Sequence, residues 1–177
     1  MSDSEQRLFF ALWPDMRQRE RMRDVITAHA KNVEGRMEFR GNWHVTLAFL
    51  GGCPSALVPT LLERAAGIAV EPFRLRFDRF EYWARPRIAC LVPAAVPAEL
   101  TSLVERLNAA LLDVGILPED RAYRPHMTVV RNARSFAAER LAQPLTVDWS
   151  GFELVESIRE RGEVRYVPIK QSLSINS

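Results

Sequence analysis

The stretch "WHVTLAFLG" (43–51) alternates like a strand with two unlike faces. Strand side chains point alternately to opposite sides. Val45, Leu47 and Phe49 therefore form an apolar row, and His44, Thr46 and Ala48 share the other side. The pattern returns in "YRPHMTVVR" (123–131), where Met127 and Val129 oppose His126 and Thr128. Elsewhere, "RLFFALW" (7–13) predicts a buried strand. Pro14 and Asp15 then open a helix to about Asn32, with Met16, Met22, Val25, Ile26 and His29 as its stripe. The segment 39–52 predicts a turn entering a strand that stops at the glycine pair, followed by a second helix from about Pro54 to Ala69. Strands are expected at 73–83 and 88–93. A third helix, from about Pro97 to Val114, is marked by Leu100, Leu103, Val104, Leu107 and Leu111. "HMTVV" reads as a strand, "SFAAERLAQ" (135–143) as a short helix, and "LTVDW", "FELVESIRE" and "EVRYVPIKQSL" as closing strands.

Several predicted strands are adjacent in sequence, which requires antiparallel pairing, so the fold class is α+β. No low-complexity tract or linker divides the 177 residues, and residues 1–177 are expected to form a single domain. The two His-x-Thr pairs lie about half a chain apart. That spacing points to two similar lobes, each supplying one copy.

Composition adds constraints. A hydrophobic share of 47% and a charged share of 26% describe an ordinary globular protein. The acidic start, "MSDSEQR", is unlike a secretory signal, and no apolar run reaches the roughly 18 residues of a membrane span. The expectation is a cytoplasmic protein that avoids membranes. Cys53 and Cys90 form no CxxC motif and read as reduced thiols. All but Lys31 and Lys170 of the 24 basic residues are arginines. Genomic base composition accounts for much of that excess, although the planar guanidinium suits phosphate.

A histidine titrates near neutral pH and needs little tuning to take or give a proton. Two of them across a cleft can do both in one reaction, while threonine hydroxyls one pleat along hold non-bridging phosphate oxygens. Each proton transfer is typically worth about 10²–10⁴-fold in rate. No metal or other cofactor is needed, and no HExxH, P-loop or GxSxG motif occurs. Of the three histidines, His29 on the first helix reads as structural. Phe10, Trp43 and Tyr123, near the motifs, are candidates for stacking on a nucleobase, with core packing as the competing role. Arg40 reads as a turn residue and Arg124 as a solvated charge.

"HVTLAFLG" and "RPHMTVVR" resemble the paired signatures of the 2H phosphoesterases, and more narrowly those of the RNA 2′,3′-cyclic phosphodiesterases formerly described as 2′–5′ RNA ligases. "RLFFALWP", "FEYWARPRIACLVP" and the closing "LVES…GEVRYVPI" extend the likeness over nearly the whole chain. The resemblance implies a bilobal fold with pseudo-two-fold symmetry, helices outside and a central cleft. It implies hydrolysis of an RNA 2′,3′-cyclic phosphate end to a 2′-phosphate, with His44 as proton donor to the 3′ oxygen and His126 as proton acceptor. Thr46 and Thr128 become phosphate ligands. Arg131 becomes one too, although strict alternation puts it opposite His126, a conflict that a bulge or strand end after Val130 would resolve. The reverse reaction would join a 5′-hydroxyl to give a 2′–5′ linkage. The partner is then RNA bearing a cyclic end, and a monomer is expected. The competing readings are an RNA-end-binding module without turnover, a metal-dependent hydrolase, and a sister activity such as 2′–5′-oligonucleotide cleavage.

Overall fold

The computed structural model describes residues 4–170. Two antiparallel sheets share the strands unequally. Their residue ranges are β1 Glu5–Leu12, β2 Arg36–Met37, β3 Val45–Pro54, β4 Phe73–Trp83, β5 Ile88–Pro93, β6 Met127–Arg131, β7 Glu139–Trp149, β8 Glu153–Glu160 and β9 Glu163–Pro168. One sheet runs β3-β1-β8-β9 and the other β2-β6-β5-β4-β7. The architecture is thus α+β, as the adjacency of strands predicts. Each sheet carries one His-x-Thr segment, at the entrance to β3 and to β6. The sheets are not consecutive halves of the chain, since β1 closes on β8 and β9 from the far end.

Among the described residues there are three α-helices: α1 Met16–Ala30, α2 Val58–Ala66 and α3 Ala98–Leu112. A capping box starts α1. Asp15 accepts the Gln18 N–H at 2.7 Å, and the Gln18 side chain accepts the Asp15 N–H at 2.7 Å. Met22, Ile26 and Ala30 face the core, whereas Met16 is 81% exposed and leaves the expected stripe. The helices cross between lobes. Helix α1 leaves the four-stranded sheet but packs on β6 and β7, and α3 leaves the five-stranded sheet but packs on β3. One apolar cluster accordingly joins both sheets, from Leu8, Phe10 and Leu12 through Phe77 and Phe80 to Leu103 and Leu107.

Three expectations need correction. Residues 135–143 form no helix, because Glu139–Trp149 is a single strand. Helical propensity in "AAERLAQ" yields to pairing with β4, where Arg79 meets Arg140 and Phe80 meets Glu139. Strand β7 is a sheet edge, and its register with β4 breaks between Leu145 and Arg140. Pro144 therefore sits where no ladder N–H is required. Strand β3 does not stop at the glycine pair but runs through Gly51, at φ 77°, to Pro54, so α2 begins later than expected. The two-residue β2 carries too little period to be read from sequence. Residues 171–173 of the predicted last strand lie outside the described residues.

Candidate active site

Strand β3 pairs with β1 in a register that shifts twice. Thr46 faces Ala11 and Ala48 faces Phe10, leaving Leu47 as an extra residue; a second shift follows between Phe49 and Gly51. Strand β6 does the same. Thr128 faces Cys90 and Val130 faces Ala89, leaving Val129 extra. Each is a one-residue bulge, which resets the alternation beyond it. Leu47 and Ala48 are both buried in the main core, and so are Val129 and Val130. The fifth residue after each histidine, Phe49 or Arg131, therefore returns to the side of the histidine and threonine. This corrects the reading from strict alternation: Ala48 belongs to the core, while Phe49 lies against Phe9, Ala11 and Val155. It also resolves the conflict over Arg131, with the bulge before Val130 rather than after it.

The two imidazoles are held alike. His44 Nδ1 donates to the Asn42 carbonyl at 2.6 Å and His126 Nδ1 donates to the Arg124 carbonyl at 2.9 Å. A carbonyl can only accept, so each ring carries its proton on Nδ1 and keeps a lone pair on Nε2. The Thr46 hydroxyl, 3.0 Å from His44 Nε2, donates to that lone pair. Strands β3 and β6 approach each other across the sheets. Tyr123, just before the second motif, donates its hydroxyl to the Thr46 carbonyl at 3.1 Å and ties the two segments together.

Their surroundings differ. His44 is boxed by Phe9 at 4.9 Å, Trp13 at 5.9 Å and Tyr166 edge-on at 5.1 Å between ring centroids. Burial in this box pushes its pKa down to about 4, against the Asn42 carbonyl, and the nearby Arg131 and His126 lower it further. His126 rests on Trp83 at 4.4 Å. Burial lowers its pKa as well, and Arg121, Arg124 and Arg131 act in the same direction. Arg131 and the second imidazole thus both act on His44, and Arg131 acts on both rings.

Arg131 is aimed by others. Its Nε donates to the Glu38 carboxylate, and its Nη2 donates to the Tyr166 hydroxyl at 3.1 Å. Glu38 is buried and also accepts from Asn42 Nδ2 at 3.0 Å. The Asn42 side-chain oxygen in turn accepts the Tyr166 N–H at 3.1 Å. The residue whose carbonyl anchors His44 is therefore bonded to the carboxylate that anchors Arg131. Behind Trp13, Arg19 lies 4.9 Å over the indole and donates to the carbonyls of Arg40 and Trp43, which fixes the approach to His44. Burial lowers the Arg19 pKa to about 10.

A cleft of about 510 Å³ opens beside His126 and Thr46, lined also by Phe49, Trp83, Arg121 and Tyr123, while His44 itself does not line it. Two proposed stacking residues are not in it. Phe10, 2% exposed, points into the core and meets Phe152 edge-on, and Trp43 is 3% exposed in the same core. Regular alternation along β1 explains the first case: Leu8, Phe10 and Leu12 take the core side, so Phe9 takes the other. Tyr123 does line the cleft. Trp83 is the aromatic residue that sequence reasoning missed, together with Phe9, Trp13, Tyr166 and Glu38. The alternation in β1 could have given Phe9, but no local pattern marks Glu38. Thr128 is half-buried on β6. His29 contacts the Glu139 carboxylate and Phe80, away from the motifs. Arg40 pairs with Glu20 at 2.8 Å, and Arg124 is packed over Trp83 at 4.3 Å rather than simply solvated. Cys53 and Cys90 are free and buried, and burial raises both thiol pKa values. Among the described residues, no group of three or more His, Cys, Asp or Glu side chains could hold a metal ion, and no helix is long and apolar enough to cross a membrane.

Comparison with known proteins agrees with this fold. The family model described as LigT like Phosphoesterase matches residues 12–90. The RNA 2′,3′-cyclic phosphodiesterase of Escherichia coli strain K12 is 31% identical over 170 residues, covering 94% of this chain and 95% of that protein. A protein of the same name from Aeropyrum pernix is 29% identical, covering 86% of this chain and 80% of its own. Among solved structures, E. coli LigT complexed with 3′-AMP superposes with a TM-score of 0.84 at 29% identity, covering 94% of this chain and 97% of that one. With this likeness running along nearly the whole chain, the protein belongs to the LigT-like phosphoesterase family.

Proposed function

We propose that the protein hydrolyses RNA 2′,3′-cyclic phosphate ends to 2′-phosphates. His126 takes a proton from water as the water oxygen attacks phosphorus. The P–O3′ bond breaks, its electron pair stays on the 3′ oxygen, and His44 supplies the proton that makes the 3′-hydroxyl. The products are a 2′-phosphate and two histidines whose protonation states have exchanged, which solvent resets. The observation that carries this reading is the matched pair of anchors: each ring is fixed at Nδ1 by a carbonyl two residues upstream, leaving Nε2 for the transferred proton.

The acid role requires His44 to hold a second proton, which its burial opposes. A bound phosphate anion supplies the missing opposite charge and raises that pKa. The Thr46 hydroxyl, released from the now protonated Nε2, turns to a non-bridging oxygen. Thr128 approaches from the other strand, and Arg131 offsets the charge that develops on the phosphoryl group. The cleft faces of Phe49, Trp83 and Tyr123 receive the terminal base. The E. coli LigT complex with 3′-AMP supports a nucleotide-sized ligand for this fold. Attack by a 5′-hydroxyl in place of water gives 2′–5′ ligation, and the abundance of water favours hydrolysis unless both ends are held. One chain carries both motifs, so a monomer suffices.

The test is incubation of purified protein, in excess chelator, with an RNA ending in 2′,3′-cyclic phosphate. The expected product is a terminal 2′-phosphate. An intact substrate would leave an RNA-end-binding module, and a 3′-phosphate product would reverse the assigned leaving group.

A further inference from the structure

A second cavity, of about 610 Å³, lies on the Tyr166 side of the site, lined by Arg7, Arg36, Arg131, Ser157, Arg159 and Tyr166 among others. Both sheets contribute. Arg7 sits on β1 two residues before Phe9, on the same side of that strand. Ser157 and Arg159 follow Val155 at the same spacing on β8, and Tyr166 pairs with Ser157 across β9. From the other sheet, Arg36 and Arg131 are direct partners in the β2–β6 ladder.

Like charges directly opposite one another in a ladder repel. Here two of them are joined by two more across the cavity. Glu38 pairs with Arg131. Among the described residues Arg7, Arg36 and Arg159 make no ion pair, and all three are exposed. Arg7 is held over the Phe49 ring at 5.0 Å, and both Arg7 and Arg36 act electrostatically on the Tyr166 hydroxyl. Such a cluster is relieved by an anion, and guanidinium forks fit phosphate oxygens in pairs. The cavity shares Arg131 with the reacting centre. It therefore adjoins the side chain that the proposed reaction sets against the phosphoryl group. In an RNA strand the next anion beyond a cyclic end is the 5′ phosphodiester of the terminal nucleotide.

We propose that the cavity formed by Arg7, Arg36 and Arg159 beside Arg131 binds the backbone phosphates of the RNA strand leading to the cyclic end. The enzyme thereby selects polynucleotide ends over cyclic mononucleotides. This rests on the RNA-end reading above and specifies its substrate class. The base of the terminal nucleotide enters the aromatic cleft on one side of the catalytic pair, and the rest of the strand leaves across the arginines on the other.

The experiment compares wild type with R36A/R159A on two substrates, a nucleoside 2′,3′-cyclic phosphate and an oligoribonucleotide ending in the same group. The ratio of kcat/KM for the oligonucleotide to kcat/KM for the nucleoside is expected to fall about tenfold or more in the variant, mainly through KM. Binding of a fluorescent oligoribonucleotide ending in 2′-phosphate is measured alongside, because it needs no turnover. Its log–log dependence on salt should flatten by roughly 0.7 for each backbone phosphate that the variant no longer neutralises. An unchanged ratio together with an unchanged salt slope overturns the proposal. If neither substrate is turned over, the hydrolysis reading fails, and the salt slope alone still decides whether the arginines bind the strand. Both side chains are exposed, so a folding defect is not expected, and circular dichroism of the variant checks this.

Discussion

Strands β3 and β6 use the same backbone device for different cargo. Each is entered through a histidine anchored at Nδ1 by a carbonyl two residues back, continues with a threonine, and bulges at the next residue. The residue that the bulge returns to the side of the histidine and threonine is Phe49 on β3 and Arg131 on β6. One lobe thus presents an apolar wall at this position and the other a cation. The rings differ in the same sense: His44 is walled in by three aromatic side chains, whereas His126 sits on one and faces arginines. The two strands present equivalent imidazoles on the same backbone device, and their neighbours give the two rings different surroundings.

Removing either imidazole should break the comparison most severely. His44→Ala and His126→Ala are each expected to lower cyclic-phosphate hydrolysis by at least about 10²-fold with the circular dichroism spectrum unchanged. The double variant should lose little beyond the worse single one, because the two act as a unit. A single variant with near-normal turnover would refute its role.

The next test sets the fifth positions against each other. Arg131→Met should cost roughly 10–10²-fold in kcat, since it removes a charge at the developing phosphoryl anion. Phe49→Leu, its counterpart, should change kcat by less than about threefold. Equal losses would mean that the two lobes are also alike in function at this position.

The smallest effect is in pH dependence. The base must be neutral, so activity falls as pH drops through the lowered pKa of His126. The acid must be protonated, so activity falls as pH rises through that of His44, about 4 in the free protein. The kcat/KM profile should therefore be a bell centred on the acid side of neutrality. Bound phosphate raises the His44 pKa, so the kcat optimum should lie higher by on the order of one pH unit. A profile flat from about pH 5 to 9 would rule out the acid–base pair.

Much of this protein was legible in local patterns because those patterns are dictated by contacts close in sequence. A buried apolar run marked β1, period-2 alternation marked β3 and the first half of β4, leucines at helical spacing marked α3, and the repeated His-x-Thr marked the two strands that meet. Where competing contacts came from far along the chain, the local pattern misled or fell silent. The 135–143 segment has helical composition, yet pairing with β4 made it a strand. Strict alternation placed Phe49 and Arg131 wrongly, because a bulge depends on the partner strand's register. Proximity to a motif suggested Phe10 and Trp43, both of which the core absorbed.

The sequence by itself determined the α+β class, the two histidines with their threonines, and the expectation that each lobe brings one pair. Only the tertiary structure decided which side chains surround them. Trp83, Tyr166, Glu38 and the arginines of the second cavity come from segments scattered along the chain. Their convergence depends on the order and register of two sheets. Those are set by the burial of a common core, a non-local quantity that no short window of sequence contains.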